Sequence, residues 1–365
     1  MARAAAAEAG VSATPLLEYL RDLIRSGGPL TVERYMEIAL WHPSWGYYAT
    51  HTPVGAHGDF VTAPEISQIF GELIGLWLVD FWQRSGAPDP VILAELGPGN
   101  GTLMTDLLRA AATVPAFRRA IRVHLVEASA ALRAVQAGAL NEAMPTWHDS
   151  PATLPSGPLL LIANEFLDAL PIRQFERQAD GWHGRRVGLD AKNDLAFVVD
   201  LTQTTEALPD WPVGSVIERR PAARGLARDF GQRLALQGGA ALFIDYGYFP
   251  PAPGDTLQAI ARHQRHDPLR DPGAADLTAH VDFADAAASA TAAGARAWGP
   301  VSQARFLRAL GIESRARRLA AGKAAQQQAQ IESGCHRLLD ETQMGTLFKV
   351  LALTGSDAPP PAGFD

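Results

Sequence analysis

The sequence predicts an α/β protein built on an open, mostly parallel sheet with helices on both faces, a Rossmann-like arrangement. Three observations predict it. Short, almost continuously apolar runs at 91–96, 122–126, 159–163 and 240–244 alternate with stretches of helical periodicity, the pattern of strands buried on both faces. The first run ends in a glycine-rich turn that leads directly into a helical stretch, where open sheets of this kind bind their ligands. Of the 365 residues, 47% are apolar and 19% charged, enough for one large or two moderate cores and too apolar for a disordered chain.

Composition excludes several function classes. The net charge of −7 argues against a protein built mainly to grip nucleic-acid phosphates. Of 32 basic residues only Lys192, Lys323 and Lys349 are lysines, a bias read as genomic. The single cysteine, Cys335, allows no intramolecular disulfide and no cysteine cage for a metal. The most apolar stretch, 69–82, is broken by Glu72 and Asp80, so no run reaches the ~18–20 residues of a membrane span. The opening MARAAAAEAG lacks the apolar core of a secretory signal, and Glu8 beside a single arginine makes a poor transit peptide. A reduced, cytoplasmic setting is therefore expected.

Along the chain, Leu16, Leu17, Leu20, Leu23 and Ile24 predict a helix over about 15–25, stopped by Gly27-Gly28-Pro29, and a second short helix begins near Thr31. Residues 41–65 are too irregular for either element and too rich in large side chains for a plain linker; a lid or packed surface loop is expected. Ile66, Ile69, Phe70, Leu73, Ile74, Trp77, Leu78 and Phe81 form a wide apolar helical stripe, preceded by a capping box of Thr62 and Glu65 with Pro64 in the first turn. Strand 91–96, helix 102–112, strand 122–126, helix 129–140, a short strand near 145–147 and strand 159–163 follow. An amphipathic helix over about 215–236 leads into strand 240–244. Residues 172–201 read as antiparallel strands with turns at Asp180-Gly181 and Lys192-Asn193-Asp194. Residues 250–321 are mixed, 345–354 is a late strand, and the final ten residues should fray. The expected organisation is an N-terminal helical arm packed on the core (1–85), a core of 86–171, 202–249 and 295–355, an antiparallel insertion (172–201), a loop and helical insertion (250–294) and a disordered tail (356–365).

The chemistry concentrates at strand ends. Glu95-Leu96-Gly97-Pro98-Gly99-Asn100-Gly101-Thr102 has G-x-G-x-G spacing, not the G-x-G-x-x-G of dinucleotide sites. Glu95 would repel a pyrophosphate and welcome an ammonium. S-adenosylmethionine carries an ammonium and a sulfonium and no phosphate, so it is the expected ligand. Glu127 ends the next strand, where a carboxylate can accept both ribose hydroxyls, and Asp149 follows the third strand in reach of an adenine amino group; either acid alone could equally be a solvated loop residue. Asn164-Glu165 ends the fourth apolar run. Glu165 can charge-pair a cationic acceptor or take its proton, whereas a purely structural reading makes Asn164 a helix cap with Glu165 in the first turn.

At these residues the sequence resembles the MidA family of S-adenosylmethionine-dependent methyltransferases, through LTVERYMEIALWHPSWGYY, GDFVTAPEIS, ELGPGNGTLM, ANEFLDALP, FIDYGY, DLTAHVDF, SQARFLRALGI and MGTLFKVLA, in order over nearly the whole chain. The resemblance implies a class I methyltransferase core and an acceptor that is a protein arginine, a respiratory complex I subunit in the mitochondrial relatives. It places a eukaryotic member in the mitochondrial matrix. A homodimer is also among the expectations. Catalysis is expected to rest on Glu165 and Asn164, with Asp168 or Asp59 helping to hold the cation. The donor is expected on Glu95, Gly97, Gly99, Asn100, Gly101, Glu127, Asp149 and Asn164. Glu65 and His280 are open between a structural and a catalytic role, as is an aromatic wall of Tyr246 and Tyr248. His42, His51 and His57 lack the spacing of a metal site, and none is expected. The competing functions are a small-molecule O- or N-methyltransferase, a donor-binding assembly chaperone without catalysis, and, least favoured by the loop spacing, a nicotinamide dehydrogenase.

Overall fold

The alternating apolar runs join one sheet. A computed structural model describes residues 14–51, 61–261 and 263–364. Its seven main strands lie in the order Arg296–Ser302, Phe348–Thr354, Gly239–Tyr248, Leu159–Asn164, Val91–Leu96, Ile121–Val126 and Thr146–His148. Those from Gly239–Tyr248 to Thr146–His148 are parallel; Phe348–Thr354 runs antiparallel to both its neighbours. Strand alternation sends Leu93, Leu160, Ile162, Leu242 and Val350 to one face, under the helices Gln68–Arg84 and Thr102–Ala111. Ile92, Ala94, Leu161, Phe243 and Leu351 face the other way, under Pro221–Gln237 and Phe283–Ala292. Each leucine, isoleucine, valine or phenylalanine among them contributes about 1.5–3 kcal/mol on burial, which is why both faces must be apolar. Gly71 and Gly75 let the first two helices touch: a Cβ there would meet Asp106 Cβ at 2.6 Å and the Leu107 carbonyl oxygen at 2.7 Å.

The chain forms two compact units. The larger holds this sheet and takes in the described residues from 61 to Leu170, Arg219–Thr256 and Thr278 onward. The smaller joins segments that the sequence reading kept apart: the described residues up to His51, Pro171–Glu218 and Leu257–Leu277. Within it Arg173–Arg177, Trp182–Leu189 and Leu195–Gln203 form the expected antiparallel strands, and Leu30–Thr31 and Val216–Arg219 extend the sheet. The Asp190 carboxylate shapes one turn by accepting the amides of Lys192 and Asp194 at 2.8 and 2.9 Å, with Asn193 at φ +68°.

Several expectations need correction. The apolar stripe starts later: Ala63–Ile66 is a separate turn, and the Ser67 hydroxyl caps Gln68–Arg84. Thr62 makes no side-chain cap bond, so the capping box does not form. The helix expected from 215 begins with a strand, Val216–Arg219, because Pro221 can open a helix but not continue one. The late strand opens with the turn Met344–Leu347. The region 250–294 is not simply loop and helix: Gln258–Ala261, Gln264–His266 and Asp276–Thr278 form a small sheet in the smaller unit, while Phe283–Ala292 covers the main one. The final segment does not fray. The Ala362 carbonyl accepts from Trp77 Nε1 at 3.0 Å and Phe364 packs on Phe306, tying the terminus down.

Candidate active site

Gly97, Gly99 and Gly101 take positive φ values of 62°, 53° and 81°, which side chains resist. A Cβ at Gly97 would also stand 2.8 Å from Phe166 Cδ2. The loop is tied on several sides. The Gly97 amide donates to the Val126 carbonyl at 3.0 Å, and Gln136 Nε2 donates to the Gly99 carbonyl at 2.8 Å. Thr102 Oγ1 donates to the Glu65 carboxylate at 2.6 Å, so Glu65 latches the loop and has no capping function. Glu95 is 3% exposed, and its Oε2 has no hydrogen-bond partner among the described residues. Burial pushes its carboxyl up to about 8.

Glu127 Oε1 accepts the Ser129 amide at 2.8 Å and Oε2 accepts from Gln136 Nε2 at 3.3 Å. Burial raises its pKa, and these two donors oppose the shift. Asp149 differs: its exposed carboxylate pairs with Arg133, whose guanidinium also reaches the Glu127 carbonyl.

No helix follows Leu159–Asn164, which removes the capping explanation of Asn164 and Glu165. Glu165 adopts φ +50°, a strained value for a side-chain-bearing residue. The turn beyond it is held by Asp245, whose Oδ2 accepts the amides of Phe166, Leu167 and Asp168 at 3.1, 2.9 and 3.2 Å. Glu165 Oε1 accepts from the Ala63 amide at 2.9 Å and Asn164 Nδ2 at 3.1 Å. Burial above all, reinforced by the Asp168 charge, pushes the Glu165 carboxyl up to about 7. Asn164 Oδ1 is buried without a partner among the described residues.

Asp168 is already engaged: it accepts a short hydrogen bond from the Tyr246 hydroxyl and the Ala169 amide at 2.8 Å. Arg220 braces the turn by donating to the carbonyls of Asp168, Leu170, Ala279 and His280. The His280 ring meets Tyr246 edge-on at 5.6 Å; burial, then Arg220 and Lys349, hold its pKa down. Asp59 and His57 lie outside the described residues. His42 stacks on Trp45 and His51 on Tyr47.

The structure thus gathers the glycine loop, Glu95, Glu127, Asn164 and Glu165 at the ends of neighbouring strands. Asp149 stays at the exposed margin. Sequence reasoning missed Asp245, Arg220 and Gln136. Asp245 carries a signal, an acid at the end of the apolar run 240–244, and Gln136 is a polar side chain on the buried seam of Leu132.

Comparison with known proteins agrees with this geometry. The family model described as S-adenosyl-L-methionine-dependent methyltransferase matches residues 73–301. The mitochondrial protein arginine methyltransferase NDUFAF7 of Xenopus laevis is 37% identical, covering 97% of this chain and 89% of its own. The protein of the same name from Homo sapiens is 35% identical, covering 93% and 83%. A Burkholderia thailandensis crystal structure with bound S-adenosyl-homocysteine superimposes with a TM-score of 0.81 at 32% identity, covering 96% of this chain and 92% of that one. Fold and site together are those of an S-adenosylmethionine-dependent methyltransferase, and S-adenosylmethionine is its methyl donor. Within that class, the chain belongs to the MidA family.

Proposed function

We propose that this enzyme methylates an arginine of a protein, with the donor held on the glycine loop and the acceptor guanidinium against Glu165. The arginine methyltransferase names of the relatives support the acceptor class. The observation that carries the site is the Glu165 carboxylate, fixed by Ala63 and Asn164 at the end of its strand. The relatives' mitochondrial names support a mitochondrial setting for a eukaryotic member, where the matrix is the expectation; for a bacterial one the expectation is the cytoplasm. The family resemblance makes a complex I subunit the finer inference for the acceptor.

The residues fit the donor. Glu95 Oε2 and Asn164 Oδ1 are buried acceptors lacking a donor among the described residues, and an ammonium supplies one. Gly97, Gly99, Asn100 and Gly101 would lie along the ligand, Glu127 would take the ribose hydroxyls and Asp149 the adenine amino group. When bound, S-adenosylmethionine supplies a methyl group made electrophilic by its sulfonium. A guanidinium stays protonated far above neutral pH, so its site must offer fixed negative charge. Pairing with that cation favours the charged form of Glu165 and reverses the effect of burial. Glu165 then orients the guanidinium fork and can take the proton that the methylated nitrogen sheds. Asp168, bonded to Tyr246, acts by holding this aromatic wall rather than by gripping the acceptor.

The test is a labelled donor reaction with cell lysate, followed by mass spectrometry of the labelled products. Label on arginine in a protein is expected. Label confined to small molecules would favour the O- or N-methyltransferase reading.

A further inference from the structure

We infer that Gln136 is a positioning residue of the donor site, a buried amide that locks the glycine loop and Glu127 into one geometry. The inference rests on the donor reading above.

Gln136 is 0% exposed on the helix Ala130–Ala139. Trp147 Nε1 donates to its Oε1 at 2.9 Å. An indole N–H can only donate, so the amide oxygen must face Trp147 and the NH₂ must face away. That NH₂ meets the Gly99 carbonyl at 2.8 Å and Glu127 Oε2 at 3.3 Å, two groups that can only accept when Glu127 is ionised. Its two protons serve two acceptors, and the flipped amide would oppose donor to donor at Trp147 and acceptor to acceptor at Gly99. One orientation satisfies all three partners.

These partners come from three neighbouring strands. Gly99 lies in the loop after Val91–Leu96, Glu127 follows Ile121–Val126, and Trp147 lies in Thr146–His148. With Ser129 on Oε1 and Gln136 on Oε2, the plane of the Glu127 carboxylate is set, leaving its other lone pairs for ribose. A side chain that merely filled this core position would be apolar, because a buried amide must first recover the hydrogen bonds it loses to water. Gln136 recovers them on donor-site groups.

The test is a double-mutant cycle on S-adenosylhomocysteine affinity, measured by calorimetry for wild type, Gln136→Leu, Glu127→Ala and the double variant. Gln136→Leu is expected to weaken binding about 10–50-fold, the scale of lost hydrogen bonds to charged and carbonyl groups. In the Glu127→Ala background the same substitution should weaken it at least about threefold less, because the two residues act together. Equal losses in both backgrounds, or near-normal affinity of Gln136→Leu, would overturn the inference. Gly99→Val separates the two readings. If it too binds normally, the donor-site reading fails; if it loses binding while Gln136→Leu does not, only the role of Gln136 fails. Should Gln136→Leu not fold, Trp147→Phe removes the N–H that orients the amide, together with part of the indole ring. A loss of about threefold or more is then expected, and unchanged affinity would contradict it.

Discussion

Glu165 accepts the amide proton of Ala63 at 2.9 Å, a bond between residues 102 positions apart. It joins the turn before Gln68–Arg84 to the end of Leu159–Asn164 and fixes the carboxylate without any ligand. The backbone at Glu165 is strained, so other contacts must hold it there. Asp245 supplies them through three consecutive amides.

Asp245→Asn should therefore lower stability by about 1–3 kcal/mol, because Oδ2 accepts these three amides and Oδ1 the amide of Tyr246, so the new NH₂ must face at least one donor. Urea denaturation measures it. A change under about 0.5 kcal/mol, the size of an ordinary surface substitution, would show that the turn does not depend on Asp245.

The raised carboxyls predict a pH dependence. Glu95 sits at about 8 and Glu165 at about 7, against an ordinary glutamate value of 4.5. Between 4.5 and about 8 these two groups bind more protons in the folded ligand-free chain than in the unfolded one, so their contribution to its stability falls as pH rises through this window. Thermal melts from pH 5 to 8 should show the decline, and Glu95→Gln should flatten part of it, with the raised Glu165, Asp168 and Asp245 accounting for the remainder. Methyl transfer needs the ionised Glu165, so kcat/KM for the acceptor, which reports the free enzyme, should instead rise with pH through about 7. A stability that increased across the window would contradict the burial of Glu95.

Glu65 and Thr102 should act as a pair. Glu65→Ala and Thr102→Val should each cost about 1–2 kcal/mol of stability, and the double variant little more than either. Additive losses would mean that their 2.6 Å bond contributes nothing.

How much of this was legible in the sequence follows from where each interaction ends. Leu159–Asn164 and Gly239–Tyr248 could be read because both faces are buried and their residues are almost uniformly apolar. Val216–Arg219 could not, since a charged stretch before a helix reads as its first turn, although Pro221 marked the true start. Phe364 and Ala362 look like tail residues until Phe306 and Trp77 meet them from far along the chain. Glu95, Glu127, Asn164 and Glu165 stood out as polar residues where apolar runs end. Asp245 carries the same signal; Arg220 does not, because its partners are main-chain carbonyls with no side-chain signature, and Gln136 reads as one polar residue on a helix.

The pairing of Glu165 with a cationic acceptor is tested most directly by Glu165→Gln, with donor affinity and methyl transfer to protein measured on the same preparation. Glutamine keeps the shape and one acceptor oxygen but removes the negative charge and turns an NH₂ towards the guanidinium's own donors. Donor affinity near that of wild type with transfer reduced by at least about a hundredfold is the expected result, the scale of a lost charge-assisted contact in the transition state. Unchanged affinity with transfer within about threefold of wild type, an energy below that of one ordinary hydrogen bond, would contradict it and leave Glu165 a purely structural residue.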